Sequence, residues 1–289
     1  MGHSEHEHVL VGVDGSPESG TALRWATEEA RTRGVGVRVL RAYEVPGPMV
    51  VGTAAVNRAV PVADYEADLE RAVAYVRARL GYEHGSGQLF RGRAAAAILS
   101  EAEDADLVAV GSHRRTKSAA ALLGSVSTAV TARAPCPVVV VRGSRWVGIA
   151  DRIVTGLDGS SLSENALAFA FDHADRHQAP LTVVHCWRQM DHIAADRWSE
   201  DAVAAVRTEH DAWMREQVAP YREKYPEVAV ELRLAETRPA QELIRLSADA
   251  GLMVVGSRGR GGVTGLLLGS VSQSLLHHAH CSVAVVRRA

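Results

Sequence analysis

The stretch richest in chemical possibility is Gly256, Ser257, Arg258, Gly259, Arg260, Gly261 and Gly262, followed a little later by Gly269, Ser270, Val271 and Ser272. Glycines permit positive φ and let backbone N–H groups approach a ligand with no Cβ in the way. A helix opening at Gly269 and Ser270 adds unpaired amides, the positive end of the helix dipole and the hydroxyls of Ser270 and Ser272. Those parts favour an anion, and a polyphosphate fits their span. The competing reading is a flexible turn with no ligand. It suits an isolated glycine run better than this one, which joins a buried strand to a serine-rich helix start and faces an aspartate, Asp158, on a partner strand.

Other chemistry is thinly supplied. Lys117 and Lys224 are the only lysines, there is no G-x4-G-K-[ST] phosphate loop, and neither lysine is placed to reach a β- or γ-phosphate. No Ser-Gly-Gly-x-Asp-Ser segment of the pyrophosphatase type occurs. Fast phosphoryl transfer therefore lacks its electrostatic parts; a slow ATPase would lean on Arg258 or Arg260 with a magnesium ion. His277, His278, His280 and Cys281 resemble zinc ligands, but the matching stretch of the first half, Arg133 to Cys136, has no histidine, so they read as a helix end. His3, His6 and His8 read as a solvated tail. Cys136 and Cys281 read as small core residues at strand entries. Trp187, Trp198 and Trp213 read first as packing, with Trp187 against a base as the alternative.

These residues sit in a duplicated framework. His8 to Ser16 recurs as Arg152 to Ser160, an offset of 144, and Leu122 to Ser127 recurs as Leu267 to Ser272, an offset of 145. Two complete domains follow, with bounds at 1–146 and 147–289. Short β-branched runs predict strands at Val9–Val13, Val35–Leu40, Gln88–Arg91, Leu107–Val110 and Val138–Val141. Their counterparts are Leu181–Val184, Val228–Leu234, Leu252–Val255 and Val283–Val286, after a first strand ending at Asp158. Helices are predicted between them: one capped at Ser16 with Pro17 behind it, one over Asp64–Leu80 or Glu200–Val218, one over Ala94–Glu103 or Pro239–Ala250, and one from Ser125 or Ser270. Such alternation demands an α/β fold: two tandem doubly wound domains, each with a five-stranded parallel sheet. In such sheets ligands bind beyond the carboxyl ends of the strands, where strand order reverses.

The spacing Gly256-x2-Gly259-x9-Gly269-Ser270, with strand-Asp158-Gly-Ser at the start of the same half, resembles the universal stress protein family in its tandem form. The resemblance covers nearly the whole chain, twice. It implies a Rossmann-like, adenine nucleotide α-hydrolase-like fold that binds ATP, with Mg2+, often dimeric, cytoplasmic, and linked to stress survival or growth arrest. Carried over by position, Asp158 and Cys186 border the adenosine and Gly156 packs beneath it. Gly256 to Gly262 wrap the ribose and phosphates, with Gly269, Ser270, Val271 and Ser272 at the phosphate end. The first half keeps Gly12, Asp14, Gly111, Gly124, Ser125, Val126 and Ser127. It departs at Arg114, where the second motif glycine belongs, and at Lys117, Ser118 and Ala119. Arg114 would either pair with a phosphate or block the backbone approach, and the sequence leaves both open.

Composition sets the outer limits. With 289 residues, 47% apolar and 23% charged, the chain can build ordinary cores, and a net charge of −2 gives no general attraction to nucleic acid or anionic membrane. No apolar run approaches the roughly 20 residues of a membrane helix. Three cysteines without a C-x-x-C pair fit a reducing cytoplasm. The apolar terminal strands, 137–142 and 282–287, invite pairing copy to copy or in a homodimer, unless a helix or loop covers them. The segment 44–63 is either a flap over the first site or a packed loop. Three functions are in play: a nucleotide-dependent stress or growth-regulation module, a ligand-independent dimerising protein with a vestigial loop, and a slow ATPase.

Overall fold

In the first half, β1 (His8–Val13) leads into α1 (Pro17–Arg33) and β2 (Gly36–Tyr43), then a short pair, β3 (Met49–Val51) and β4 (Ala54–Val56). The chain continues through α2 (Val62–Leu80), a 3-10 turn (Tyr82–His84), β5 (Gly85–Arg91), α3 (Ala94–Glu101), β6 (Leu107–Gly111), α4 (Ser125–Arg133) and β7 (Val138–Val141). The second half repeats the plan with β8 (Ile153–Gly156), α5 (Ser161–His177), β9 (Leu181–Trp187), α6 (Glu200–Lys224), β10 (Val230–Glu236), α7 (Pro239–Leu246), β11 (Leu252–Gly256), α8 (Ser270–His278) and β12 (Ser282–Val286). This computed structural model describes residues 8–45, 49–51, 54–56, 60–112, 123–143, 152–187, 200–260 and 267–287. Contacts divide the chain into two units, Met1–Arg142 and Gly143–Ala289.

Within unit 1 five parallel strands run in the order β5-β2-β1-β6-β7, and within unit 2 the order is β10-β9-β8-β11-β12. Each sheet is doubly wound, as the alternation of elements predicts. Both faces are covered, so the central strands are apolar throughout: Val9, Leu10 and Val11 of β1 and Val254, Met253 and Leu252 of β11 are essentially inaccessible to water. Strand order reverses between β1 and β6 and between β8 and β11. That leaves a crevice at the carboxyl end of each pair.

Several details depart from the sequence expectation. His8 does not belong to a solvated tail; it opens β1 opposite Gly36 and is buried, while His3 and His6 lie outside the described residues. β9 runs on past Val184 to Trp187 because β10 pairs with it as far as Glu236. α6 runs through Pro220 to Lys224 rather than stopping at Val218. Proline there removes one helical N–H donor, but Phe171 stacks on Tyr221 and Tyr225, at 5.2 and 6.0 Å, and holds the last turns in place. α7 ends early, at Leu246, where the Ser247 hydroxyl donates to the Ile244 carbonyl at 2.6 Å. The segment 44–63 holds the antiparallel pair β3–β4 and the start of α2.

The duplication yields an internal control on helix ends. α1 stops at Gly34, with φ 71°, a left-handed conformation that glycine adopts without strain. The equivalent end of α5 is Gln178, held at φ 51°. A Gln178→Gly variant is therefore expected to raise the unfolding free energy by about 1 kcal/mol, read as a higher urea midpoint at unchanged slope.

Candidate functional site

The crevice of unit 2 opens into a cavity of about 530 Å3 between the ends of β8 and β11. Its near lip is the turn from β8 into α5. Asp158 Oδ1 accepts from the Ser160 amide at 3.0 Å and the Ser160 hydroxyl at 2.6 Å, while Ser160 caps α5 by accepting from the Ser163 amide at 3.2 Å. Ser163 Oγ receives the Asp158 amide at 3.3 Å. The other carboxylate oxygen, Oδ2, accepts from the Arg260 amide at 3.0 Å and so ties this turn to the glycine loop. Burial raises the Asp158 pKa, but hydrogen bonds from Ser160, Arg260 and Ser163 outweigh it, and the group lies below the usual carboxylate value. It stays ionised, with both oxygens engaged inside the protein.

The far lip is the glycine loop. A Cβ on Gly256 would come within 2.7 Å of the Leu162 carbonyl oxygen, so the first turn of α5 rests on a bare backbone. A Cβ on Gly259 would strike Asp158 Oδ2. The loop returns where the Gly269 amide donates to the Ser257 carbonyl at 2.7 Å, and Ser272 Oγ shares its proton between the carbonyls of Ser257 and Gly269, at 3.0 and 2.9 Å. Ser257 and Ser272 are thus buried struts. α1 and α5 are capped by the hydroxyls of Ser16 and Ser160, whereas α8 follows Gly269 with no side-chain cap. Its first intrahelical bond is made by the Gln273 amide. The amides of Ser270, Val271 and Ser272 therefore face the cavity without helical partners.

Of the residues marked in the sequence, Gly156, Asp158, Cys186, Gly256, Arg258, Gly259, Arg260, Gly269, Ser270, Val271 and Ser272 come together around this cavity. Ser257 stands just behind it, and Gly261 and Gly262 lie outside the described residues. The apolar wall was not foreseen: Leu157, Val184, Leu243, Val255 and Leu268, with Pro239 and the Ser163 hydroxyl. In the sequence these look like ordinary core positions. Only the alternation along β9, which puts Val184 and Cys186 on one face, carries a signal. Trp187, on the opposite face, does not line the cavity; its ring stacks on His210 at 5.6 Å. Trp198 lies outside the described residues. Burial pushes the Cys186 thiol up to about 12, with Glu242 adding to the shift, so Cys186 is a neutral wall and not a nucleophile.

Unit 1 repeats the lip. Ser16 donates to Asp14 Oδ1 through its amide at 3.0 Å and its hydroxyl at 2.5 Å, and Ser127 Oγ donates to the Gly111 carbonyl at 2.8 Å. Gly12 packs under Ile98, α4 follows Gly124 without a side-chain cap, and Ser125, Val126 and Ser127 form its first turn. Arg114, Lys117, Ser118 and Ala119 lie outside the described residues.

The chain matches the universal stress protein family twice, over residues 5–142 and 150–287. It belongs to that family. A universal stress protein of Mycobacterium tuberculosis is 34% identical over 292 residues, covering 97% of each chain, and one of Mycolicibacterium smegmatis is 34% identical over 291 residues, covering 96% of each. The crystal structure of a universal stress protein from Archaeoglobus fulgidus superposes with a TM-score of 0.69 at 20% identity, covering 99% of this chain and all of that one. That likeness bears on the tandem α/β fold. Among the described residues no helix is long and apolar enough to cross a membrane.

Proposed function

We propose that unit 2 of this universal stress protein binds ATP in the cavity between β8 and β11, and that occupancy makes the chain a nucleotide-dependent module in stress or growth control. One observation carries the reading: the uncapped amides of Ser270, Val271 and Ser272 open onto the cavity beside Arg258. Helix starts of this kind take anions. A second cation stands close by. Arg287 donates to the Leu267 carbonyl at 3.0 Å, and burial and the neighbouring Arg258 hold its guanidinium below its ordinary pKa. Two like charges beside open amides make a place that an anion would stabilise.

The other end of the cavity suits a flat base. Val184, Cys186 and Leu243 form an apolar slot, and Gly156 lets Leu243 approach, since a Cβ there would lie 3.1 Å from Leu243 Cδ1. Adenine is the base implied by the family motif. Asp158 is the one carboxylate on the cavity wall among the described residues, and its two oxygens are already taken. A magnesium ion would therefore be held by phosphates and water, and the protein would supply amides and arginines. What these residues do is bind, orient and shield the ligand; among the described residues of the wall there is no placed general base.

The test is calorimetric titration of the purified chain with Mg-ATP, together with mass spectrometry of nucleotide released on denaturing native protein. Saturable binding, weakened about tenfold by Arg258→Gln for the loss of one charge-assisted contact, is the expected result. No heat at millimolar ATP and no released nucleotide would overturn the proposal.

A further inference from the structure

Behind the cavity, on the other face of the sheet, each unit ties its first strand to its second helix through one side chain of its second strand. In unit 1 that side chain is Arg41. Its Nη1 donates to the Val13 carbonyl at 3.4 Å, and its Nη2 pairs with Asp68 of α2 at 3.1 Å. An offset of 144 sets His185 against Arg41 and Leu157 against Val13. His185 Nδ1 meets the Leu157 carbonyl at 2.8 Å, and its Nε2 meets His210 Nδ1 of α6 at 3.0 Å. The tie has the same topology in both units. Its chemistry differs: a permanent ion pair in unit 1, two imidazoles in unit 2.

We infer that the His185–His210 contact is a proton-operated tie that weakens ligand binding in unit 2 on acidification, where unit 1 carries a tie insensitive to pH over the same range. The inference rests on the reading that the cavity is the ligand site. A carbonyl accepts only, so His185 Nδ1 carries hydrogen, and Nε2 of the neutral ring must then accept from His210 Nδ1–H. One added proton is tolerated, because His210 can turn acceptor at Nδ1 and keep its hydrogen on Nε2. A second leaves N–H facing N–H at 3.0 Å between two cations, and the contact breaks.

What breaks is a support of the ligand site. Trp213, one turn beyond His210 on α6, packs 4.8 Å from the His185 ring, and the Arg260 guanidinium lies 5.8 Å from the Trp213 ring. A Cβ on Gly159 would come within 2.9 Å of Trp213, so that ring also covers the Asp158 turn. Releasing His210 therefore loosens both lips. Among the described residues, the ionisable groups facing His185 are His210 from α6, Arg260 from the glycine loop and Asp158 from the β8 turn. β10 turns Leu234 to it in register, with Glu236 two pairs beyond, beside Trp187, and on α5 the acidic groups Glu164 and Asp172 act on Tyr221 and Lys224 of α6. Burial, then His210 and Arg260, hold His185 below its ordinary pKa against the Leu157 hydrogen bond and Asp158. A detached imidazole thus takes a proton before the tied one. The tie is at full strength above about pH 6.5, weakens progressively as the pH falls below it, and breaks once both rings carry a second proton.

The experiment follows intrinsic tryptophan fluorescence of the ligand-free chain and ATP affinity from about pH 7.5 to about pH 5.5. Comparison variants are His185→Arg with His210→Asp, which imports the unit 1 pair, and His210→Gln, which cannot take the second proton. The wild type is expected to show a fluorescence transition, removed by Trp213→Phe, and about tenfold greater loss of ATP affinity than either variant, the equivalent of one pKa unit of coupling. Titration of ATP itself is common to all and cancels. Equal pH profiles in wild type and both variants, or no transition from Trp213, would overturn the inference while leaving ATP binding intact. A fluorescence transition without ATP binding at any pH would instead defeat the ligand reading and keep the proton-operated contact. If the double variant fails to fold, by circular dichroism, His210→Gln decides alone.

Discussion

A Gly259→Arg variant is expected to lose about 100-fold in ATP affinity, roughly 2.7 kcal/mol, while remaining folded. The substitution places in unit 2 the residue that unit 1 carries as Arg114 in the matching motif position. Gly259 is exposed, so no core is disturbed. Yet any Cβ there strikes Asp158 Oδ2, the oxygen that receives the Arg260 amide at 3.0 Å. A charge-assisted hydrogen bond of this kind contributes about 1.5–3 kcal/mol. Losing it frees the segment from Arg258 to Arg260 and takes the open amides and Arg258 out of mutual register. Calorimetry with ATP measures the effect, and a melting curve excludes unfolding. The reciprocal Arg114→Gly variant is expected to bring only partial gain in unit 1, because Lys117, Ser118 and Ala119 still replace the glycine run. Wild-type affinity in Gly259→Arg would mean that the Asp158 tie has no part in binding.

How much of this could be read in the sequence depends on the kind of constraint. Glycine positions were legible because each answers to a close approach: Gly256 against the Leu162 backbone, Gly259 against the Asp158 carboxylate, Gly269 against the Arg258 backbone. The duplication made the first lip legible as well, since Asp14 and Asp158 precede the same Gly-Ser pair. Asp158 itself was read as a ligand neighbour, and the structure gives it the further task of joining two loops. The apolar wall was hidden because Leu243 and Val255 obey the same burial rule as any core residue. Helix bounds slipped where a local breaker met a tertiary contact, as at Pro220, whose flanking turns are held by Phe171 on Tyr221. The histidine pair was hidden for another reason. Its members sit 25 residues apart on different elements, and only setting His185 against Arg41 reveals that one tie is built twice from different chemistry.

Gly256→Val is expected to lower the stability of unit 2 by about 3 kcal/mol or more, at the upper end of overpacking effects. The reason is what the new side chain would meet. Its Cβ would lie 2.7 Å from the Leu162 carbonyl oxygen and 2.8 Å from the carbonyl carbon, both backbone atoms in the first turn of α5. That turn is fixed by the Ser160 cap and by Asp158, so it cannot retreat without breaking the lip of the cavity. The same contact exists in unit 1, where a Cβ on Gly111 would lie 2.7 Å from the Glu18 carbonyl. Gly111→Val should therefore cost about as much. Gly156→Ala makes the contrast, because its Cβ would press only on the flexible end of Leu243, at 3.1 Å, with Val255 at an ordinary 3.9 Å. It is expected to cost no more than about 1 kcal/mol while narrowing the slot proposed for the base. Differential scanning calorimetry separates the cases. A Gly256→Val chain melting like the wild type would show that α5 can slide on the sheet, and the account of both glycine lips would then be wrong.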